Sequence, residues 1–226
     1  MRDRQKQPNR SGRQERVYRR TAASASSILL ARWPDLADSI TRQSAQEFSK
    51  LIPAIPHIGG QRNPFTSIID RTAVYLALYR SMRSHGLSLQ DAEQVLLALA
   101  EQEFSRYPAW LCRLIGKLYM SRINQLRIRR YAELSQRRRY AADFVCQQVD
   151  ASKVDDRWGI DYLECGIVKF LRAQGAEELA PCMCKMDYIV FPAMGLNLHR
   201  TGTIAEGFPL CDFRLSFLDA RLSRRL

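Results

Sequence analysis

Phe144-Val145-Cys146-Gln147-Gln148-Val149, followed after a polar segment by Trp158-Gly159-Ile160-Asp161-Tyr162-Leu163, decides the fold class. Before this stretch, apolar residues recur at helical spacing; from here on, strand-like alternation appears. Both runs read as strands, and Asp150 to Asp156 as the polar turn of a hairpin. Gly166 to Ala173 reads as a short helix closed by Gly175, and Pro181 opens a longer one ending near Met194-Gly195. Leu196 to Ile204 alternates again. Glu206-Gly207 marks a turn, and Cys211 to Phe217 alternates cleanly. The expected order is β-β-α-α-β-β, an antiparallel four-stranded sheet, and with the preceding helices an α+β fold with a helical N-terminal layer.

Working back from residue 140, the chain reads as helix. Ile28, Leu29, Leu36, Ile40, Phe48 and Leu51 predict one helix over residues 27–51. Ile55-Pro56-His57-Ile58-Gly59-Gly60 predicts a loop, since Pro and Gly both oppose helix continuation. Ile69, Thr72, Ala73, Leu76, Tyr79 and Arg80 predict the next helix, ended by Gly86. Ser88 with Asp91 forms a capping box for a third. Pro108 suits the first turn of a helix running to about Arg138.

The 226 residues carry 35 Lys plus Arg against 23 Asp plus Glu, a formal charge of +12. An apolar fraction of 46% excludes a disordered chain. No run approaches the roughly 20 apolar residues that cross a bilayer, and no signal-peptide core is present, so a cytoplasmic protein without a membrane partner is expected. Residues 1–20 hold a net +6 and residues 127–139 a net +5, so the rest is nearly neutral. Neither basic run carries a nucleic-acid motif, and aromatics interleave poorly. Residues 1–24 are read as a disordered leader, and residues 127–139 as the solvated end of a helix. Nucleic acid is not expected as a partner; steep salt dependence of DNA binding would be its signature. The expected organisation is a leader over 1–24, a helical region over 25–140, and an α+β region over 141–220 folded with it.

Six cysteines carry the chemistry. Structural disulfides are not expected in a cytosolic chain. Cys112 and Cys146 read as buried hydrophobes. Cys165 precedes a helix, whose N-terminal N–H groups favour a thiolate, and Cys184 falls in the first turn of the helix opened by Pro181. Cys184, Asp187, Tyr188 and Phe191 fall at i, i+3, i+4 and i+7 and share a face. Cys182 and Cys184 point about 200 degrees apart, so a four-thiolate metal site is not expected. A three-thiolate site of Cys165, Cys184 and Cys211 stays geometrically open. Cys211 and Asp212 face opposite sides of a regular strand. His85 suits a helix C-terminus. No Gly-x-Ser-x-Gly, P-loop or dinucleotide fingerprint is present.

An ordered series then stands out. It runs Ile55-Pro56-His57-Ile58-Gly59-Gly60-Gln61-Arg62-Asn63-Pro64-Phe65, Tyr75 to Arg80, Gly86-Leu87-Ser88, Gly159 to Cys165, Cys184 with Asp187, Arg200 to Gly207, and Cys211-Asp212-Phe213-Arg214. It resembles the L-2-amino-thiazoline-4-carboxylic acid hydrolase family from about residue 50 to 218. Gly202 stands where family members often have Thr, and Phe208-Pro209-Leu210 where they often have a polar loop. The resemblance implies hydrolytic opening of a cyclic amidine to a carbamoyl-cysteine product. Cys184 or Cys165 would attack, with Cys211 beside them. Asp187 would hold the amidine or activate water, and Arg200 would bind the substrate carboxylate. Thr201 and Thr203 share a strand face opposite to Arg200, so one of the two sets would line the pocket, with Tyr188 and Asp212 nearby. A small-molecule partner is expected, with no cofactor required; a thiolate-bound metal and a homo-oligomer are both open. The alternative is a non-catalytic ligand- or metal-binding sensor module with thiol ligands.

Overall fold

The computed structural model describes residues 8–149 and 158–218. The chain is α+β and divides into two compact units, Met1–Leu99 and Ala100–Leu226. The boundary lies between Leu99 and Ala100. The last two helices before the sheet therefore fold with the sheet.

In the first unit, α1 (Pro8–Arg32), α2 (Pro34–Leu51) and α3 (Thr66–Ser84) pack on one another. The helix expected over residues 27–51 is two helices. Pro34 has no N–H to continue the ladder, so it sits in the first turn of α2 behind Trp33. The expectation of a disordered leader fails over residues 8–24, which lie within α1; residues 1–7 are outside the described set. Asp70 of α3, only 1% exposed, explains the anchoring. Arg13 donates to it through Nε at 3.0 Å, and Gln14 through Nε2 at 3.2 Å. Tyr18 stacks on Phe48 at 4.7 Å and shares a 2.8 Å hydrogen bond with Ser44. A basic segment with few apolar residues is thus held by one buried carboxylate.

The loop after α2 forms as expected. Asn63 donates to the Ile58 carbonyl at 2.6 Å and accepts from the Phe65 N–H at 2.9 Å. His85 closes α3, its Nδ1 2.8 Å from the Ser81 carbonyl. The Ser88–Asp91 capping box opens α4 (Leu89–Ser105), with the Ser88 N–H donating to Asp91 at 2.7 Å and the Asp91 N–H to Ser88 at 3.1 Å.

The second unit holds the sheet. The helix expected from Pro108 to Arg138 is α5 (Ala109–Tyr119) and α6 (Arg122–Ser135), parted at Met120-Ser121, where Ser121 caps Asn124. Arg127, Arg129 and Arg130 are exposed on α6, and Arg137 to Arg139 follow its end, so this basic run is solvated as expected. The strands are β1 (Val145–Val149), β2 (Trp158–Glu164), β3 (Leu196–His199) and β4 (Cys211–Phe217), antiparallel throughout in the order β1-β2-β4-β3. The expected turn at 150–156 lies outside the described residues.

Between β2 and β3 run α7 (Gly166–Ala173), α8 (Ala180–Lys185) and α9 (Asp187–Ala193). The single helix expected from Pro181 is therefore α8 and α9, parted at Met186. The third strand is shorter than expected: it stops at His199, and residues 204–206 form a single 3-10 turn.

The core of this unit joins α6 and α9 to one sheet face through Ile128, Trp158, Ile160, Phe191, Leu196 and Leu215. Cys146 is fully buried there and Cys112 nearly so, as expected of small hydrophobes. Ser135 and Gln136 at the end of α6 hold Cys146 through its N–H and carbonyl, beside a register irregularity in β1. Gly116 is needed where α5 meets the end of α9: a Cβ there would lie 2.0 Å from the Met194 carbonyl oxygen. Among the described residues, no helix is long and apolar enough to cross a membrane.

Candidate functional site

The site lies where α7, α8, α9 and the segment after β3 meet, within the second unit. Cys165 follows the last residue of β2 and is the N-cap of α7. The N–H groups of Val168 and Ile167 favour its thiolate, as expected of a helix start. Burial outweighs them, and the charges of Cys211 and Asp187 add to it, pushing the thiol up to about 11.

Cys184 is not in a first turn. It is the fifth of six residues in α8, so it lies away from the N-terminus of its own helix. Burial raises its thiol, and the charges of Cys165 and Asp187 raise it further against the pull of Arg200. Cys211 opens β4 and accepts the Ile204 N–H on Sγ at 3.2 Å. Burial raises it too, opposed first by that N–H and then by Arg200. The three thiols thus share one field, in which burial favours the neutral form of each. Cys165 and Cys184 are half-buried, and Cys211 is buried. Cys182 is buried as well, about 200 degrees round α8 from Cys184.

Asp187 starts α9 and keeps 31% of its side chain exposed, while only 4% of the Arg200 side chain is. Arg200 Nη1 donates to Asp187 Oδ2 at 2.9 Å, and Nη2 donates to the Cys184 carbonyl at 3.1 Å. The guanidinium lies 5.0 Å from the Phe213 ring centre and 5.1 Å from that of Tyr188. Such stacking suits a planar, weakly hydrated cation. Burial nevertheless pushes the Asp187 carboxyl up to about 6, with Arg200 opposing the rise. A carboxylate poised near neutrality can accept and return a proton.

Arg200, Thr201 and Thr203 do not lie on a strand, because β3 has ended. The expected choice between two strand faces therefore disappears. The Thr201 N–H and hydroxyl both donate to Asp212, at 2.9 and 2.8 Å, and the Gly202 N–H donates at 3.3 Å. Burial works against the Asp212 anion, but these bonds prevail and hold its carboxyl below the usual range. Thr203 is fully buried and donates to Glu206 at 2.7 Å. Asp212 and Thr201 thus fix the loop that carries Arg200.

Tyr188 is half-exposed. Among the described residues, no three His, Cys, Asp or Glu side chains are grouped so as to hold a metal ion.

The sequence reading missed an aromatic wall. Tyr162 meets Phe213 at 5.2 Å, Phe213 meets Phe191 at 6.1 Å, and Phe191 meets Tyr119 at 5.9 Å. Burial, with the Asp187 charge adding, raises the phenols of both Tyr119 and Tyr162. Tyr162 and Phe213 stand two strands apart in sequence order, and the antiparallel pairing that brings them together was the only available signal. Gly202 and Phe208 also meet. A Cβ on Gly202 would fall 2.4 Å from the Phe208 ring, so a glycine at 202 makes room for the aromatic ring at 208.

A family model for L-2-amino-thiazoline-4-carboxylic acid hydrolases matches residues 69–215, well over half of the chain. The chain belongs to the L-2-amino-thiazoline-4-carboxylic acid hydrolase family. The matched range spans the candidate site residues from Cys165 to Asp212. Neither a curated protein nor a solved structure matches.

Proposed function

We propose that this family member is a hydrolase that opens a carboxylated cyclic amidine of the 2-amino-thiazoline type. The observation that carries the reading is the placement of Asp187. Its carboxylate is held by a buried arginine, partly open to solvent, and in the same field as three thiols. A protonated amidine is a planar cation, and an ionised Asp187 attracts it.

The Cys184 thiol attacks the amidine carbon between nitrogen and sulfur. An S–C bond forms, the C=N electron pair moves to the ring nitrogen, and the thiol proton passes to Asp187. Asp187 then returns the proton to the ring atom that leaves as its bond to that carbon breaks. Water adds to the covalent adduct, Cys184 is expelled and regains its proton, and a carbamoyl-cysteine product results. Overall one water is consumed and nothing is oxidised. A base near pH 6 suits this task, because the resting thiol is neutral and must be deprotonated as it attacks.

Arg200 acts in this scheme as a positioning residue. Two of its nitrogens are engaged and its side chain is buried, so it orients Asp187 in place of gripping the substrate carboxylate. The test is turnover of 2-amino-thiazoline-4-carboxylate, followed by loss of the ring and appearance of a carbamoyl product. Mass spectrometry of enzyme stopped during turnover should show the adduct on Cys184. Metal analysis of the same sample separates the hydrolase from a thiol-based sensor.

A further inference from the structure

The outer faces of α5 and α6 expose more apolar surface than scattered surface residues account for. On α5, Trp110 (66% exposed), Leu114 and Leu118 (60%) follow each other at i, i+4 and i+8, and Ile115 widens the stripe. Arg113 and Lys117, both exposed, run along one edge of it. The opposite side of the helix carries the buried Cys112 and Gly116. On α6, Ile123 (75% exposed) and Leu126 (63%) stand among the exposed Arg122, Arg127, Arg129 and Arg130. On the two helices there are six Lys and Arg against Glu133 alone, a net of +5.

We propose that this face docks on an anionic lipid surface. A helix with Trp and Leu on one face and Lys and Arg beside them lies in the plane of a bilayer interface, its apolar groups among the acyl chains and its cations at the headgroups. Trp110 heads the stripe, as an interfacial aromatic does. Basic groups gain from anionic headgroups within a Debye length. Crossing a membrane is a separate demand, which no described helix meets.

Charge decides against the other occupants. A second copy laid on the same face would oppose one strongly basic surface with another. A nucleic acid would use the arginines and leave Trp110, Leu118 and Ile123 in water.

The test is co-sedimentation of the full chain with vesicles of phosphatidylcholine alone and of phosphatidylcholine with phosphatidylserine. Binding is expected only to the second, and it should weaken as salt rises. Trp110→Ser with Leu118→Ser should lower affinity by about tenfold or more. Arg113→Gln and Lys117→Gln should each lower it roughly fivefold. These side chains are exposed, so circular dichroism and turnover should be unchanged. Ile123→Ser, on the other helix, should act in the same direction. The proposal is overturned by equal binding to both vesicles or by binding to neither. It is also overturned by self-association that these changes abolish, or by DNA binding that survives loss of Trp110 and Leu118.

Discussion

Arg200 donates to Asp187 at 2.9 Å from a side chain that is only 4% exposed, while the carboxylate it holds opens to solvent. A buried cation under a mostly buried anion is an arrangement for tuning the anion. Burial raises Asp187 to about 6, and Arg200 keeps it from rising further.

The pH dependence follows with a definite sign. The folded Asp187 titrates above its unfolded value of about 3.9. Its ionisation therefore costs stability, which is lost as pH rises from about 4 to about 6. As the base of the reaction, it should give a turnover profile that falls as pH drops through about 6. A flat profile between pH 5 and 7 would contradict this.

Arg200→Met removes the opposing cation. The acid limb should then move upward by one unit or more, equivalent to about 1.4 kcal/mol per unit. Arg200→Lys should recover part of the shift. If Arg200→Met instead raised KM with the acid limb unmoved, Arg200 would be a substrate contact and not a positioning residue.

The thiols give a second test. Cys165 is raised to about 11, and Cys184 and Cys211 are also raised, all by burial first. Alkylation by iodoacetamide should be slow at pH 7 and should keep accelerating above pH 9, since the thiolate is the reactive form. A rate that levels off below pH 8 would show a thiolate already present.

At the N-terminus, Arg13→Ala leaves Asp70 buried without its cation. Destabilisation of about 3 kcal/mol is expected by denaturant unfolding. Asp70→Asn combined with Arg13→Ala should be milder than Arg13→Ala alone. Deletion of residues 1–20 should be costly for the same reason, and an unchanged melting temperature would show that Arg13, Gln14 and Tyr18 contribute nothing.

Gly202→Thr should lower stability by about 1–3 kcal/mol, the usual cost of overpacking, because its Cβ meets the Phe208 ring. Adding Phe208→Ala should restore most of it. Additive losses in the double variant would mean that the two positions do not share space.

Alternation from Val145 onward and the capping box at Ser88 made the sheet and α4 legible in the sequence. The cysteine that precedes α7 was legible for the same reason, since both its flanks are local patterns. Local patterns failed where one long-range contact decided the outcome. Leu196 to Ile204 alternates, yet the strand stops at His199, since Arg200 turns to reach Asp187. Residues 8–24 look like a tail, but Asp70, more than fifty residues on, holds them in place. The break at Met186 put Cys184 at the end of a six-residue helix and removed the helix terminus expected to activate it. The spacing of Cys184 to Asp187 was readable from sequence; the electrostatics of that spacing needed the burial of the whole cluster.

The most direct measurement is single-turnover hydrolysis of 2-amino-thiazoline-4-carboxylate by the native chain, Cys184→Ser, Cys182→Ser and Asp187→Asn, each checked by circular dichroism. Cys184→Ser and Asp187→Asn should lose turnover by about a hundredfold or more, the scale of a lost nucleophile or base, with the fold retained. Cys182→Ser should stay close to the native rate. Full activity in Cys184→Ser, or no ring opening by the native chain, would contradict the assignment of this site.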